Sequence, residues 1–446
     1  MKTEHIAIIG MGATGLSLTR FLTAQGHRCE GFDERMPNRP ETISTPLHLG
    51  PLTLDSLHDF DRILLSPGIP WMHPVLVELR DQGAIMHGDL DLFLHHYHGA
   101  LLTVTGTNGK TTATHMIAQL LSTLTGGIEA GGNIGTPMLD LMEKSPQRVV
   151  LELSSFQLER SQNIHPQWAV LLNIQPDHAD MHATPAIYEA AKVSMFARQG
   201  YGDRALLPNE CHWDALADQL VRRGACVLRF GHASEDGENQ LACGIAPHRG
   251  AMHLFWSHAG EKKWLACDQL CINGAHQHIN LAVAAQAAAD FGVDSTIINA
   301  QLTSFKGLPH RLQHVAHVRH RDWYDDSKAT NPDAALAALR SFPQSLWICG
   351  GLRKGLALDA LIPTVRNHVA HAFIIGLEPE AYATMLTEAG VSYTLSHTLA
   401  QAVIDAANLN KPLPVLLSPA AASQDQFKNY AERGQQFTAA VRQLTP

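Results

Sequence analysis

Thr105-Gly106-Thr107-Asn108-Gly109-Lys110-Thr111-Thr112 follows the apolar run Leu101-Leu102-Thr103-Val104 and precedes a stretch carrying Ile117, Leu120, Leu121 and Leu124. That i, i+3, i+4, i+7 spacing puts the apolar side chains on one face of a helix. The segment therefore reads as strand, glycine-rich loop, helix. Backbone amides of such a loop cradle phosphates, Lys110 neutralises β- and γ-phosphate charge, and Thr111 offers a hydroxyl to Mg²⁺. The standard P-loop motif has a further glycine where Val104 stands here, so only a shorter GxxGKT core is present. A lysine at a helix start opposes the helix dipole unless an anion is near, which makes a plain turn the poorer reading. Gly106, Thr107, Asn108, Gly109, Lys110, Thr111 and Thr112 are candidate nucleotide-binding residues.

Outward from this loop, strand-like and helix-like stretches alternate, which predicts an α/β fold with mainly parallel sheets. A chain of 446 residues has room for about three domains. Turn signals before new strands place them at 1–97, 98–306 and 307–446. The first opens with Ile6-Ala7-Ile8-Ile9 and a second glycine loop, Gly10-Met11-Gly12-Ala13-Thr14-Gly15, and Asp33 closes its next strand. This matches a dinucleotide fingerprint. A helix start lined by small residues accepts any diphosphate, however, including that of a UDP-sugar, and glycines can also serve close strand–helix packing alone. The motif leaves its ligand open.

Composition narrows the classes. A formal net charge of −9, with 17% charged residues, speaks against nucleic acid and anionic membrane as partners. The N-terminus runs directly into a strand without a signal-peptide core, and no apolar run is long enough to span a bilayer. The 7 cysteines form no CxxC pair, which suits a reducing, cytoplasmic setting. Histidine is frequent, at 27 residues. His95-His96-Tyr97-His98 and His314/His317/His320 nevertheless lack a zinc-type spacing with Cys or Glu and read as solvated surface. The second group lies in Gln313 to Asp322, which reads as an exposed strand.

Further motifs carry a resemblance. TGTNGKTT is followed by Gly131-Gly132-Asn133-Ile134-Gly135-Thr136-Pro137, by Glu152-Leu153-Ser154-Ser155-Phe156-Gln157-Leu158, by Tyr324-Asp325-Asp326-Ser327-Lys328-Ala329-Thr330-Asn331 and by Leu417-Ser418-Pro419-Ala420-Ala421-Ala422-Ser423. In this order they resemble the Mur ligase family from Gly10 to about Gly434. The resemblance implies three domains: a Rossmann-like UDP-binding one, a central ATPase, and a Rossmann-like C-terminal one that closes over the site. It further implies an ATP-dependent ligase of peptidoglycan precursor synthesis, a monomer joining D-glutamate to UDP-N-acetylmuramoyl-L-alanine through an acyl phosphate.

The resemblance also distributes roles. Ala13, Thr14, Asp33, Arg35, Ser66, Pro67 and Gly68 match positions for the UDP group; Asn133, Ser154 and Gln157 match positions for the muramoyl-alanyl end. Lys110, Glu152, His178 and Lys192 match the catalytic set. Thr111, Glu152, His178 and a carbamylated Lys192 would hold Mg²⁺ at two sites. Asn280 and Arg311 match nucleotide contacts, as do Asp326 for the ribose and Lys328 in the same motif. Gln277 stands where the family carries an asparagine. Thr330, Lys354 and Ser423 match the glutamate pocket, where Gln424 and Tyr430 replace the usual leucine and phenylalanine.

Other classes explain less. A nicotinamide dehydrogenase accounts for Gly10 to Asp33 and leaves the second phosphate loop idle. Folylpolyglutamate synthase shares the ATPase logic but lacks a UDP-binding first domain. A non-catalytic scaffold has no need of Lys110, Glu152 and His178.

Overall fold

The computed structural model describes residues 2–34, 45–133, 135–161, 163–175, 184–234 and 240–444. Their strands form three sheets in succession along the chain, each with its own helices, and one buried apolar cluster is continuous between the first two, from Ile6 and Leu18 to Leu101 and Val149. Numbering each sheet's strands by their own chain order, the first has the parallel order 3-2-1-4-5. Its central strand, His5–Ile9, pairs with Arg28–Asp33 on one side and Arg62–Leu65 on the other. The chain thus changes sides just beyond Ile9, the crevice position where α/β sheets take ligands. That is where Gly10 to Gly15 lie.

The second sheet has nine strands in the order 9-8-7-6-5-4-1-3-2. Its first strand, Ala100–Thr105, lies between Arg148–Glu152 and Trp168–Leu171. Buried on both faces, it reads as the near-continuous apolar run expected of a parallel interior strand. Helix Lys110–Leu121 packs beside the alanine-rich helix Ala275–Asp290, which is buried over most of its length. Small side chains let the two helices and the sheet approach closely.

The far edge departs from the parallel expectation. Cys243–His248, Ala251–His258 and Glu261–Ala266 pair antiparallel. Their connections, Arg249-Gly250 and Ala259-Gly260, have φ of 50°, 80°, 51° and 82°. Two residues cannot make a crossover, and turns of this left-handed kind fit the twist of a hairpin.

The third sheet runs 1-2-6-3-4-5. The stretch expected as one exposed strand from Gln313 to Asp322 is instead a hairpin of Gln313–Val318 and Arg321–Asp325. It turns at Arg319 and His320, whose φ values are 53° and 58°. On it, His314 and His317 each approach Asp322 Oδ1 at 3.0 Å in exposed contacts. Among the described residues no group of His, Cys, Asp or Glu is arranged to hold a metal. No helix there is long and apolar enough to cross a membrane. The sixth strand, Val415–Leu417, lies between Arg321–Asp325 and Ser345–Cys349. This order brings the loops after Asp325 and after Leu417 together, facing the second sheet's phosphate loop.

Candidate active site between the second and third sheets

A cavity of about 690 Å³ is walled by residues from the loop at 107–112 on one side and from 326–334 and 353–356 on the other. Gly109 caps helix Lys110–Leu121 with φ of 86°. A Cβ there would also lie 2.6 Å from Asn280 Oδ1, so only glycine fits both the turn and the contact. Asn173 clamps the loop from beneath. Asn108 N donates to its Oδ1 at 2.8 Å, its Nδ2 donates to Asn108 O at 3.0 Å, and Thr107 N donates to its carbonyl at 3.0 Å. Gln175 N donates to Thr107 Oγ1 at 3.0 Å, and the Tyr188 hydroxyl meets the same oxygen at 3.0 Å.

Two ammonium groups converge on one carbonyl. Lys110 Nζ donates to Gly106 O at 2.8 Å and Thr107 O at 2.9 Å, while Lys192 Nζ donates to Gly106 O at 2.9 Å. Lys192 is 1% exposed, with its ammonium 4.6 Å from the Tyr188 ring centre. Two like charges around one oxygen repel each other, and a polyphosphate at the loop would relieve that repulsion. Glu152, buried at the end of its strand, accepts from Asn133 Nδ2 at 3.3 Å and lines the cavity with Thr111. A carboxylate and a hydroxyl beside a phosphate loop are the hard oxygen donors that Mg²⁺ requires. The residues present therefore fit a magnesium nucleotide.

The opposite wall carries Arg311, Asp326, Lys328, Thr330 and Lys354. Burial pulls Arg311 below the ordinary guanidinium range, against the attraction of Glu152, Tyr430 and Asp326. Burial pushes Asp326 up to about 7, although its oxygens accept from Ser418 Oγ at 2.8 Å and Leu312 N at 3.0 Å. The Lys328 ammonium sits 3.9 Å over the Tyr430 ring, a cation–π contact. Asn331 Nδ2 reaches across to Asn108 Oδ1 at 3.4 Å. Lys354 is exposed in the wall with φ of 53°. Ser423 is buried just behind Ala422, and its hydroxyl has no hydrogen-bond partner among the described residues. Asn280 and Gln277 are both buried and line the cavity's inner end.

Other sequence candidates lie at the first sheet or between it and the second. Asp33 Oδ2 accepts from Met11 N at 2.7 Å, and Ser66 Oγ donates to Gly10 O at 2.6 Å. Both side chains brace the first glycine loop. Ala13 and Thr14 open helix Ala13–Ala24, and Pro67 and Gly68 follow Ser66 in the turn beside Gly10. Ser154 lines the cavity and caps helix Ser155–Arg160 by accepting from Gln157 N at 3.3 Å. Gln157 is buried, returning its Oε1 to Ser154 N at 3.1 Å and donating from Nε2 to Asp89 Oδ2 at 3.1 Å. Arg35 and His178, with Asp177, lie outside the described residues.

Tyr188, Asn173 and Gln175 hold the phosphate loop, yet sequence reasoning assigned them no role. An asparagine and a glutamine just past a strand end were the available signal for two of them. For Tyr188 the signal was its place four residues before Lys192, one helical turn away.

Known proteins frame this geometry. Residues 104–288 match the Mur ligase middle domain, and residues 4–88 match the N-terminal domain of MurD-like Mur ligases. The chain belongs to the Mur ligase family. Within the family, it is 34% identical over 454 residues to UDP-N-acetylmuramoylalanine–D-glutamate ligase of Methylobacillus flagellatus, covering 100% of this chain and 98% of that one. The protein of the same name from Agrobacterium fabrum is 35% identical, covering 99% and 96%. Among solved structures, the fold is similar to MurF ligase from Thermotoga maritima in complex with ADP, with a TM-score of 0.59, 18% identity, and coverage of 98% and 94%.

Proposed function

We propose that this chain is the ADP-forming ligase that adds D-glutamate to UDP-N-acetylmuramoyl-L-alanine in peptidoglycan precursor synthesis, working as a monomer in the cytoplasm. The observation that carries the reading is the two-sided cavity. Lys110, Lys192 and Glu152 face Arg311, Asp326, Lys328 and Lys354 across one space. Such a site holds anionic reactants together against their mutual repulsion, and restores by position what dilution would cost.

ATP lies with its phosphates on the loop from Gly106 to Thr112, its base toward Asn280 and Gln277, and its ribose toward Asp326. Thr111 and Glu152, with His178 and a carbamylated Lys192, would hold two Mg²⁺, which supply positive charge to the transferring phosphoryl group. A carbamate on Lys192 would also end the repulsion between its ammonium and that of Lys110. Asn133, Ser154 and Gln157 position the alanine carboxylate, whose oxygen attacks the γ-phosphorus as ADP leaves. Thr330, Lys354 and Ser423 hold D-glutamate so that its neutral amine meets the acyl carbon and phosphate departs. Ala13, Thr14, Asp33, Arg35 and Ser66 to Gly68 take the UDP end. The domain divisions near residues 97 and 306 follow the same reading.

Phosphate release from ATP is the test, measured with UDP-N-acetylmuramoyl-L-alanine and either D-glutamate, L-glutamate or another amino acid. Release that requires the UDP substrate and is fastest with D-glutamate is expected. Release indifferent to the UDP substrate sinks the reading; equal release with L-glutamate sinks only its stereochemistry.

A further inference from the structure

The turn from Leu65 to Ile69 has its carbonyls gathered onto one side chain from a different part of the molecule. Arg160 Nη1 donates to Ser66 O at 2.8 Å and Leu65 O at 3.4 Å; Nη2 donates to Pro67 O at 3.4 Å and to Ile69 O. Arg160 ends helix Ser155–Arg160, which follows the strand carrying Glu152. It is 7% exposed, and its Cζ lies 5.7 Å from the Trp71 ring centre. Arg80 stacks on that ring too, with Cζ at 4.1 Å, while its Nη1 donates to Trp71 O at 2.7 Å.

Burial lowers Arg160 to about 10, so it stays cationic near neutrality, helped by the charge of Asp89. Asp89, itself raised by burial to about 6, accepts from Gln157 on the same helix. A guanidinium offers N–H donors in a rigid plane, so the carbonyls that meet it are fixed in direction as well as distance. In a trans peptide the N–H points opposite to the preceding carbonyl. Turning Pro67 O toward Arg160 therefore turns the Gly68 N–H away from it. The short helix meets the cavity at Ser154 and grips the Ser66 to Gly68 turn at its other end.

We infer that Arg160 is a positioning residue that sets the Ser66 to Gly68 turn, and with it the UDP end of the substrate, relative to the phosphoryl-transfer cavity. It acts through the backbone of that turn. The inference rests on the ligase reading above. A mere interdomain bolt would cost stability or weaken every ligand alike; a positioning residue changes the handling of one substrate.

The test uses the full chain as Arg160→Lys and Arg160→Met, titrated calorimetrically with UDP-N-acetylmuramoyl-L-alanine and separately with a non-hydrolysable ATP analogue and Mg²⁺. In Arg160→Lys, which keeps the charge and loses the fork, Kd and KM for the UDP substrate should rise about tenfold. In Arg160→Met the rise should be larger, while Kd for the nucleotide and KM for D-glutamate change less than about twofold. Unchanged affinity for the UDP substrate in folded Arg160→Lys overturns the inference, as does equal weakening of both ligands. If Arg160→Met does not fold, Arg160→Lys alone decides. Wild-type phosphate release is measured first: its failure sinks the ligase reading, whereas a shift confined to the variants bears only on Arg160.

Discussion

The chain builds a strand, a glycine loop and a helix start twice and finishes the two in opposite ways. At Gly10 to Gly15 the loop is braced by an acid and a hydroxyl, Asp33 on Met11 N and Ser66 on Gly10 O. At Gly106 to Thr112 it is held by amides and crowded by two lysines sharing the Gly106 carbonyl. The glycines specify only how the backbone turns. The charge that the loop tolerates comes from side chains brought in by other elements. An acid behind the first loop favours a hydroxyl-bearing ribose over added negative charge, whereas lysines at the second favour polyphosphate.

Lys110→Ala cuts deepest into this contrast. Turnover should fall about 10²–10³-fold, the scale for losing one preorganised charge-stabilising donor, with UDP-substrate binding by calorimetry unchanged. If both ligands weaken together, the loops are not independent. Lys192→Ala should lower turnover about a hundredfold while the protein folds and still binds ATP. A small carboxylate added at high concentration should then restore part of the rate. A rate that stays low with every carboxylate assigns Lys192 to bracing Gly106 as a cation.

Asp33→Ala works on the other loop. Losing the charged hydrogen bond to Met11 N should cost about 1.5–3 kcal/mol, seen as about a tenfold or greater rise in KM for the UDP substrate. KM for ATP should stay put, and NAD should not bind to wild type or variant. Asp326→Asn tests a difference in titration. Burial raises Asp326 to about 7, so folded protein keeps a proton there that the unfolded chain sheds above about pH 4. Its contribution to stability is full at low pH and is lost as pH rises through 7. The unfolding free energy of the variant relative to wild type should therefore climb between about pH 4 and 7, by roughly 3–4 kcal/mol in all, and level off above. A flat difference removes the raised pKa.

The smallest effect belongs to Gly12→Ala. A Cβ there meets nothing within 4 Å among the described residues, so stability should change by less than about 0.5 kcal/mol. Gly15→Ala places a Cβ 2.1 Å from Gly10 O and should visibly destabilise the first domain and weaken UDP-substrate binding. Equal behaviour of the two would mean that the loop is not packed as described.

The phosphate loop was legible because it is contiguous: Gly109, Lys110 and the helix behind them announce themselves within a dozen residues. The capping pair Ser154 and Gln157 carries an equally local signal, yet the sequence reading gave both residues only to the substrate. Lys192 was not legible. On its own helix it looks like a surface lysine, and only the fold carries its amine to Gly106 O; the family resemblance pointed to it where the residues alone did not. Arg160 had no signal, because its partners are carbonyls roughly ninety positions away, and backbone leaves no mark on sequence. The hairpin at Arg319 and His320 was hidden by its turn residues, which lack the glycine or asparagine that normally marks such turns.

The third sheet has a consequence for how the molecule is made. Val415–Leu417 is its last strand in chain order, yet it occupies an interior position between strands that leave the ribosome some seventy to ninety residues earlier. Until it arrives, Arg321–Asp325 and Ser345–Cys349 each show an open edge, a template for pairing with other chains. Its insertion closes both edges, and Ser418 immediately reaches Asp326. The wall opposite the phosphate loop thus needs this strand, and the core behind it also needs Phe437 and Val441 from the helix that follows. A nascent chain that already carries the phosphate loop therefore cannot yet form the wall opposite it.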